Sequence, residues 1–210
     1  MVEKDWYAWH GDYDVPGSVI ALRLTAVQER IAAALDGFPA GPVTVLSLCA
    51  GQGRDLLGVL AGHPRRDGVT ARLVELDPRN AEFARRTAAD AGLSGVEVVV
   101  GDAGLIDHYA GLAPADLVLA CGIFGNVSDE DIHATVVACT QLCATGGTVV
   151  WTRHRRPPDL VPQICAWFAE NYFELVALSD PSEPFGVGAH RFTGRPRPLV
   201  PGTRIFAFTR

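Results

Sequence analysis

Four short clusters in this chain of 210 residues have the types and spacing to do chemistry. Ala50-Gly51-Gln52-Gly53 follows an apolar, β-branched run (43–48) and leads into a helix-like segment. Glu75 lies 24 positions after Gly51, at the end of a second apolar run, and is followed by Leu76-Asp77-Pro78. Asp102-Ala103 follows Val98-Val99-Val100-Gly101, and Cys121-Gly122 follows Asp116–Ala120. A glycine turn that backbone and ligand can approach closely, with a carboxylate at the tip of the next strand, is how an α/β sheet grips a nucleoside. Glycine admits the backbone angles and contacts that a Cβ would block, and the carboxylate can accept hydrogen bonds from both ribose hydroxyls.

A proton-accepting group is harder to read. Of six histidines, His63 and His108 fall in surface-like turns and His133 one turn into a helix. His154 follows an expected strand, His190 lies in a long late loop, and His10 belongs to an N-terminal aromatic cluster with Trp6, Tyr7, Trp9 and Tyr13. These last three are the candidate general bases, since each lies in a segment able to close over a pocket. The aromatic cluster reads either as a lid or as a hydrophobic strap on the sheet.

The elements that must position these groups follow from periodicity. Apolar residues from Ser18 to Leu35 recur with a helical period, ended by Gly37 and Pro39. Strands are expected at 43–48, 70–75, 96–100, 116–120 and 148–152, alternating with helices at 54–61, 78–91, 104–109, 128–143 and 159–171. Asp77 should cap the helix that opens with Pro78, and Ser128 the helix after it in the same style. Two last strands are expected at 173–178 and 204–209, with a Pro- and Gly-rich loop at 179–203 between them. Repeated β-then-α units imply a parallel sheet with helices on both faces, and all four clusters fall at the carboxyl ends of its strands.

Composition narrows the class. The hydrophobic fraction of 48% suffices for a core, and no apolar run is long enough to cross a bilayer. The charged N-terminus lacks the apolar core of a signal peptide, so a cytoplasmic location is expected. The net charge of −6 argues against general nucleic-acid affinity, although residues 151–210 carry eight arginines against five acids. None of the five cysteines forms Cys-x-x-Cys, which favours buried thiols over disulfides or a metal site. No metal constellation and no Walker A sequence is present. Leu56 stands where a dinucleotide fingerprint needs its third glycine.

The order of these stations resembles the class I S-adenosylmethionine-dependent methyltransferases over residues 43–178 and 204–209. Val45-Leu46-Ser47-Leu48-Cys49-Ala50-Gly51-Gln52-Gly53 is similar to the family's first motif, with Ser47 in place of its acid and Cys49 in place of its first glycine. The resemblance implies a Rossmann-like α/β fold: a seven-stranded, mostly parallel sheet with the last strand antiparallel, helices on both faces and an N-terminal helical extension. It divides the chain into residues 1–40, an extension with a candidate lid helix, and residues 41–210, the S-adenosylmethionine-binding domain. It places the cofactor on Ala50, Gly51, Gln52, Gly53, Glu75, Leu76, Asp102, Ala103, Cys121 and Gly122. Glu75 would hold the ribose, with Asp77 as rival. Asp102 would accept from the adenine amino group, a helix cap being the alternative. Trp6, Tyr13, Phe124 and Asn126 would face the acceptor, Phe124 reading equally well as core.

The expected activity is methyl transfer to an oxygen or nitrogen of a small molecule. A non-catalytic cofactor-binding partner or regulatory domain is the alternative. Methylation of RNA or protein, suggested by Arg153-His154-Arg155-Arg156, ranks third. No membrane or nucleic-acid partner is implied, and the chain should be a monomer or homodimer.

Overall fold

The computed structural model describes residues 5–209; the first four residues of the expected extension lie outside them. Seven strands form one sheet: β1 (Val43–Leu48), β2 (Val69–Glu75), β3 (Val96–Val100), β4 (Ala115–Ala120), β5 (Cys143–His154), β6 (Phe173–Leu178) and β7 (Phe185–Phe192), in the order β3-β2-β1-β4-β5-β7-β6. The first five pair in parallel, and β7 is antiparallel to both β5 and β6. Helices α1 (Trp6–Trp9), α2 (Val19–Gly37), α3 (Arg54–Leu60), α4 (Pro78–Asp90), α5 (Asp129–Leu142) and α6 (Val161–Glu170) connect or flank the strands. β1 and β4 are almost wholly buried along their lengths, as expected of central parallel strands covered on both faces.

The two faces carry separate cores. Ile31 and Leu35 of α2 pack with Leu56, Leu60 and Ala84 of α3 and α4 on one side. Ile132 and Val136 of α5 pack with Ile164 and Phe168 of α6 on the other. Within residues 1–40, α2 packs as a layer on the sheet, with Ile31 and Leu35 fully buried.

Local capping follows the sequence. The Asp77 carboxylate accepts from Arg79 N at 2.8 Å with Pro78 in the first turn, and Ser128 Oγ accepts from Asp131 N at 3.1 Å.

One expectation is corrected. The last strand is Phe185–Phe192, inside the presumed loop, and residues 204–209 form no strand; they contribute only an isolated bridge between Leu105 and Arg204. The glycines that made 185–192 look like a loop are required by packing. A Cβ at Gly186 would lie 2.5 Å from Val161 Cγ2, and one at Gly188 would overlap the Trp151 ring. Both are glycines that let another side chain approach the strand closely. β7 also enters between β5 and β6, so β6 rather than β7 forms the edge. β5 begins at Cys143, earlier than the expected Thr148, through a register shift against β4.

Candidate functional site

The strand order reverses between β1 and β4, and the crevice beyond their carboxyl ends is where open α/β sheets bind ligands. The turn after β1 lines it. Cys49, Gly51 and Gly53 all adopt left-handed backbone (φ +51°, +56° and +68°). At Gly53 a Cβ would add to the left-handed strain a contact of 2.8 Å with Leu57 Cδ1 and 3.0 Å with Leu73 Cδ2, which those side chains would have to relieve by shifting. Cys49, where the resembling family has its first glycine, takes the same conformation at a cost of about 1–2 kcal/mol. Burial pushes its thiol pKa well up, as it does that of Cys121. Both are neutral thiols and poor nucleophiles.

Glu75, at the tip of β2, is 8% exposed. Its Oε2 accepts from Gly51 N at 2.7 Å and its Oε1 from Asp77 N at 2.8 Å. One amide per oxygen fixes the carboxylate and leaves each oxygen a further lone pair for a ligand hydroxyl. Burial raises its pKa, and the two amides partly oppose that. Asp77 is occupied otherwise: it caps α4 and pairs with Arg79 at 2.7 Å. Leu76, next to Glu75, is 68% exposed, an apolar side chain held in the open at a strand tip. On the far side, Asp102 Oδ1 accepts from Gly104 N at 2.9 Å and Oδ2 from Arg204 Nη1 at 2.7 Å, while Ala103 is buried below it.

Gln52 and Asn80 are buried and brace the turn. Gln52 Nε2 donates to Asn80 Oδ1 at 3.3 Å, and Gln52 Oε1 accepts from Arg54 Nε at 2.9 Å. Arg54 in turn holds Asp14 of the N-terminal segment at 2.6 and 3.2 Å. At the other end of that segment, Arg79 pairs with Asp5 at 2.8 Å and lies over the Tyr7 ring. The segment is thus drawn onto the glycine turn. A Cβ at Gly51 would overlap His10 Nε2.

His10 is buried, and its Nδ1 lies 2.6 Å from the Trp6 carbonyl. A carbonyl only accepts, so Nδ1 carries the proton and Nε2 keeps its lone pair in the neutral ring. Burial lowers the pKa, holding the ring neutral at pH 7. Trp6 and Tyr13 sit with Trp9 in edge-on contacts, and the Tyr13 hydroxyl accepts from Arg23 at 3.3 Å.

Two expected site residues fall elsewhere. His190 is 1% exposed, takes Trp151 Nε1–H at 3.0 Å and stacks on Phe168 at 4.5 Å. It pairs with Val149, near the middle of β5, away from the strand tips. Its pKa is pushed down to about 4 by burial. Phe124 is fully buried, its ring 5.9 Å from Trp151, and is core. Asn126 shapes the loop after β4: its Nδ2 donates to Gly122 O at 2.7 Å, while Gly122 N donates to Thr152 Oγ1 at 2.8 Å. His154 ends β5 and lies beside Gly125, with Nδ1 accepting from Arg156 N at 3.3 Å.

One residue escaped the sequence reading. Asp55, in the first turn of α3, has its pKa raised by burial, and its field reaches Tyr13 and Cys121. Its Oδ1 accepts from Leu56 N at 2.7 Å. The signal was an acid two residues after Gly53, near the dipole-positive end of a helix. Ser47, buried in β1, carries no such charge. Among the described residues no group of three His, Cys, Asp or Glu side chains is placed to hold a metal, and no helix is long and apolar enough to cross a membrane.

No protein-family model matches the sequence, and no curated protein matches it. Solved structures do match. A 1,6-didemethyltoxoflavin-N1-methyltransferase from Burkholderia thailandensis, solved with 1,6-didemethyltoxoflavin and S-adenosylhomocysteine, superposes over 90% of this chain and 84% of its own, with a TM-score of 0.65 and 17% identity. An O-methyltransferase family protein from the same organism covers 80% of this chain with a TM-score of 0.62 and 17% identity; the chain spans only 56% of its length. A putative rRNA methylase from Clostridium thermocellum matches over 80% of this chain and 95% of its own, at a TM-score of 0.59 and 13% identity. The architecture is the class I S-adenosylmethionine-dependent methyltransferase fold.

Proposed function

We propose that this chain is a cytoplasmic S-adenosylmethionine-dependent methyltransferase that methylates an oxygen or nitrogen of a small molecule, with His10 as general base. What supports the reading is that Gly51, Glu75, Leu76 and Asp102 all lie at the carboxyl ends of the adjacent parallel strands β1, β2 and β3, beside the point where the strand order reverses. The residues fit the cofactor. Glu75 has an open lone pair on each oxygen for the ribose hydroxyls. Leu76 offers an exposed apolar surface for the adenine ring, and Asp102 with the Ala103 amide meets the ring's polar edge. Asp55 supplies near the turn a half-buried carboxylate that Ser47 does not, suited to the cofactor's ammonium.

When bound, S-adenosylmethionine supplies an electrophilic methyl carbon on a sulfonium. The chain's task is then to orient the acceptor, keep water out and remove a proton. His10 Nε2 takes that proton, and the Trp6 carbonyl holds the ring in the required tautomer. Trp6, Trp9 and Tyr13 roof the site, while Asn126 and His154 border the acceptor side. The close N-terminal roof and the net charge of −6 favour a small acceptor over nucleic acid.

The test is titration calorimetry with S-adenosylhomocysteine, followed by turnover with S-adenosylmethionine and a panel of phenols, carboxylic acids and N-heterocycles. Product S-adenosylhomocysteine with any acceptor supports the reading. No heat at millimolar ligand removes it, and binding without turnover across a broad panel turns the chain into a cofactor-binding partner.

A further inference from the structure

Residues 203–209, of which 204–209 were expected to form the last strand, run instead across the tips of β3 and β4. Arg204 Nη1 donates to Asp102 Oδ2 at 2.7 Å, Ile106 N to Thr203 O at 3.0 Å and Ile205 N to Gly104 O at 2.8 Å. Farther on, Ala207 N donates to Asp131 Oδ2 at 3.0 Å, and Thr209 gives its N–H (2.8 Å) and its hydroxyl (3.1 Å) to the Asn126 carbonyl. Ile205 and Phe206 are buried, and Phe208 meets Trp6 edge-on at 5.8 Å. One segment is therefore tied at its start to the carboxylate assigned above to adenine. At its end it reaches the loop after β4 and the aromatic roof.

We propose that this segment is an autoinhibitory strap latched by Arg204, and that Asp102 exchanges the Arg204 guanidinium for the adenine amino group on cofactor binding. The inference rests on the proposed cofactor site and adds a regulation of it. Asp102 Oδ1 already accepts from Gly104 N and Oδ2 from Arg204, so a second donor arriving on Oδ2 shares that oxygen's charge and meets the positive N–H groups of the guanidinium. The latch is weak enough to exchange, because the Arg204 and Asp102 side chains remain 50% and 37% exposed and water competes for such a pair. Ile205 and Phe206 anchor the strap, so exchange at Asp102 loosens the backbone beside the latch without unfolding the domain.

The experiment is titration of the full chain and of Arg204→Ala with S-adenosylhomocysteine at low and high salt. Hydrogen exchange of the parent is followed with and without that ligand. Arg204→Ala should bind about two- to five-fold more tightly, the worth of an exposed ion pair. Parent affinity should rise with salt, which screens the latch, and the variant should be flat. In the parent, the Ile205 and Ala207 amides should lose protection when ligand binds. Equal or weaker binding by the variant, or ligand-induced protection of those amides, overturns the strap and makes Arg204 a wall of the pocket. If neither protein binds the ligand, the cofactor site itself falls and the strap with it. If the parent binds, Glu75→Ala weakens it and Arg204→Ala does not tighten it, only the strap falls.

Discussion

Replacing Glu75 with Ala tests the ribose assignment most directly. The carboxylate is 8% exposed and gives one oxygen to each of two backbone amides, Gly51 N and Asp77 N. Two lone pairs remain, enough for two hydroxyls. Alanine removes those acceptors and leaves both amides unpaired. A hydrogen bond to a charged group contributes about 1.5–3 kcal/mol, and water entering the vacated volume returns part of it. The expected loss of S-adenosylhomocysteine affinity is about 1–3 kcal/mol, or about 5- to 150-fold in Kd. The unpaired amides destabilise the fold by a similar amount, offset in part because burying an ionised carboxylate was itself costly. Calorimetric titration well below the variant's Tm separates the two effects. pH gives a second signature. Burial raises the Glu75 pKa, so acidification protonates the acceptor earlier than it would an exposed glutamate. Parent affinity should fall as pH drops toward that raised value, and the variant should lack this fall. A folded Glu75→Ala protein that binds within two-fold of the parent would refute the ribose role.

Three further outcomes are expected. His10→Asn should cut turnover by about 10²- to 10⁴-fold, the usual share of a general base. The parent rate should rise with pH and level off below the pH at which an ordinary histidine would, because burial lowers the His10 pKa; a variant with parent-like turnover excludes His10 as base. His190 has a folded pKa of about 4 against 6.5 unfolded. Its contribution is therefore complete above pH 6.5 and is lost as pH falls toward 4, about 3 kcal/mol in all. Urea unfolding from pH 7 to 4.5 should show a slope that His190→Gln flattens, and equal slopes would contradict the burial argument. Gly188→Ala drives a methyl into the Trp151 ring and should destabilise by about 1–3 kcal/mol; an unchanged Tm would show that β5 and β7 yield there at no cost.

The central sheet could be read from the chain because its signals are local. The run before Gly51 and the run before Glu75 are short, apolar and punctuated by glycine, as strands buried on both faces must be. Asp77-Pro78 follows the grammar of a helix start, which is what freed Glu75 for the glycine turn. The conflict at Cys49 was also visible, as a side chain where the backbone needs a left-handed turn, and the fold accepts the strain.

Other features depended on partners far away in sequence. Gly186 and Gly188 look like loop residues until Val161 and Trp151 are seen lying against them. Residues 204–209 have the alternation of a strand, yet the edge they would have joined is already filled by β7 and β6. Ile205 and Phe206 are buried against the strand tips instead, while Phe208 stays exposed. A single histidine has no period to betray its place. His190 became core and His10 came to rest on Gly51 because of contacts with Phe168, Trp151 and the Trp6 carbonyl. Backbone preference acts over a few residues and is written in the chain. The burial of a lone polar group is set by long-range packing, and only the folded molecule decides it.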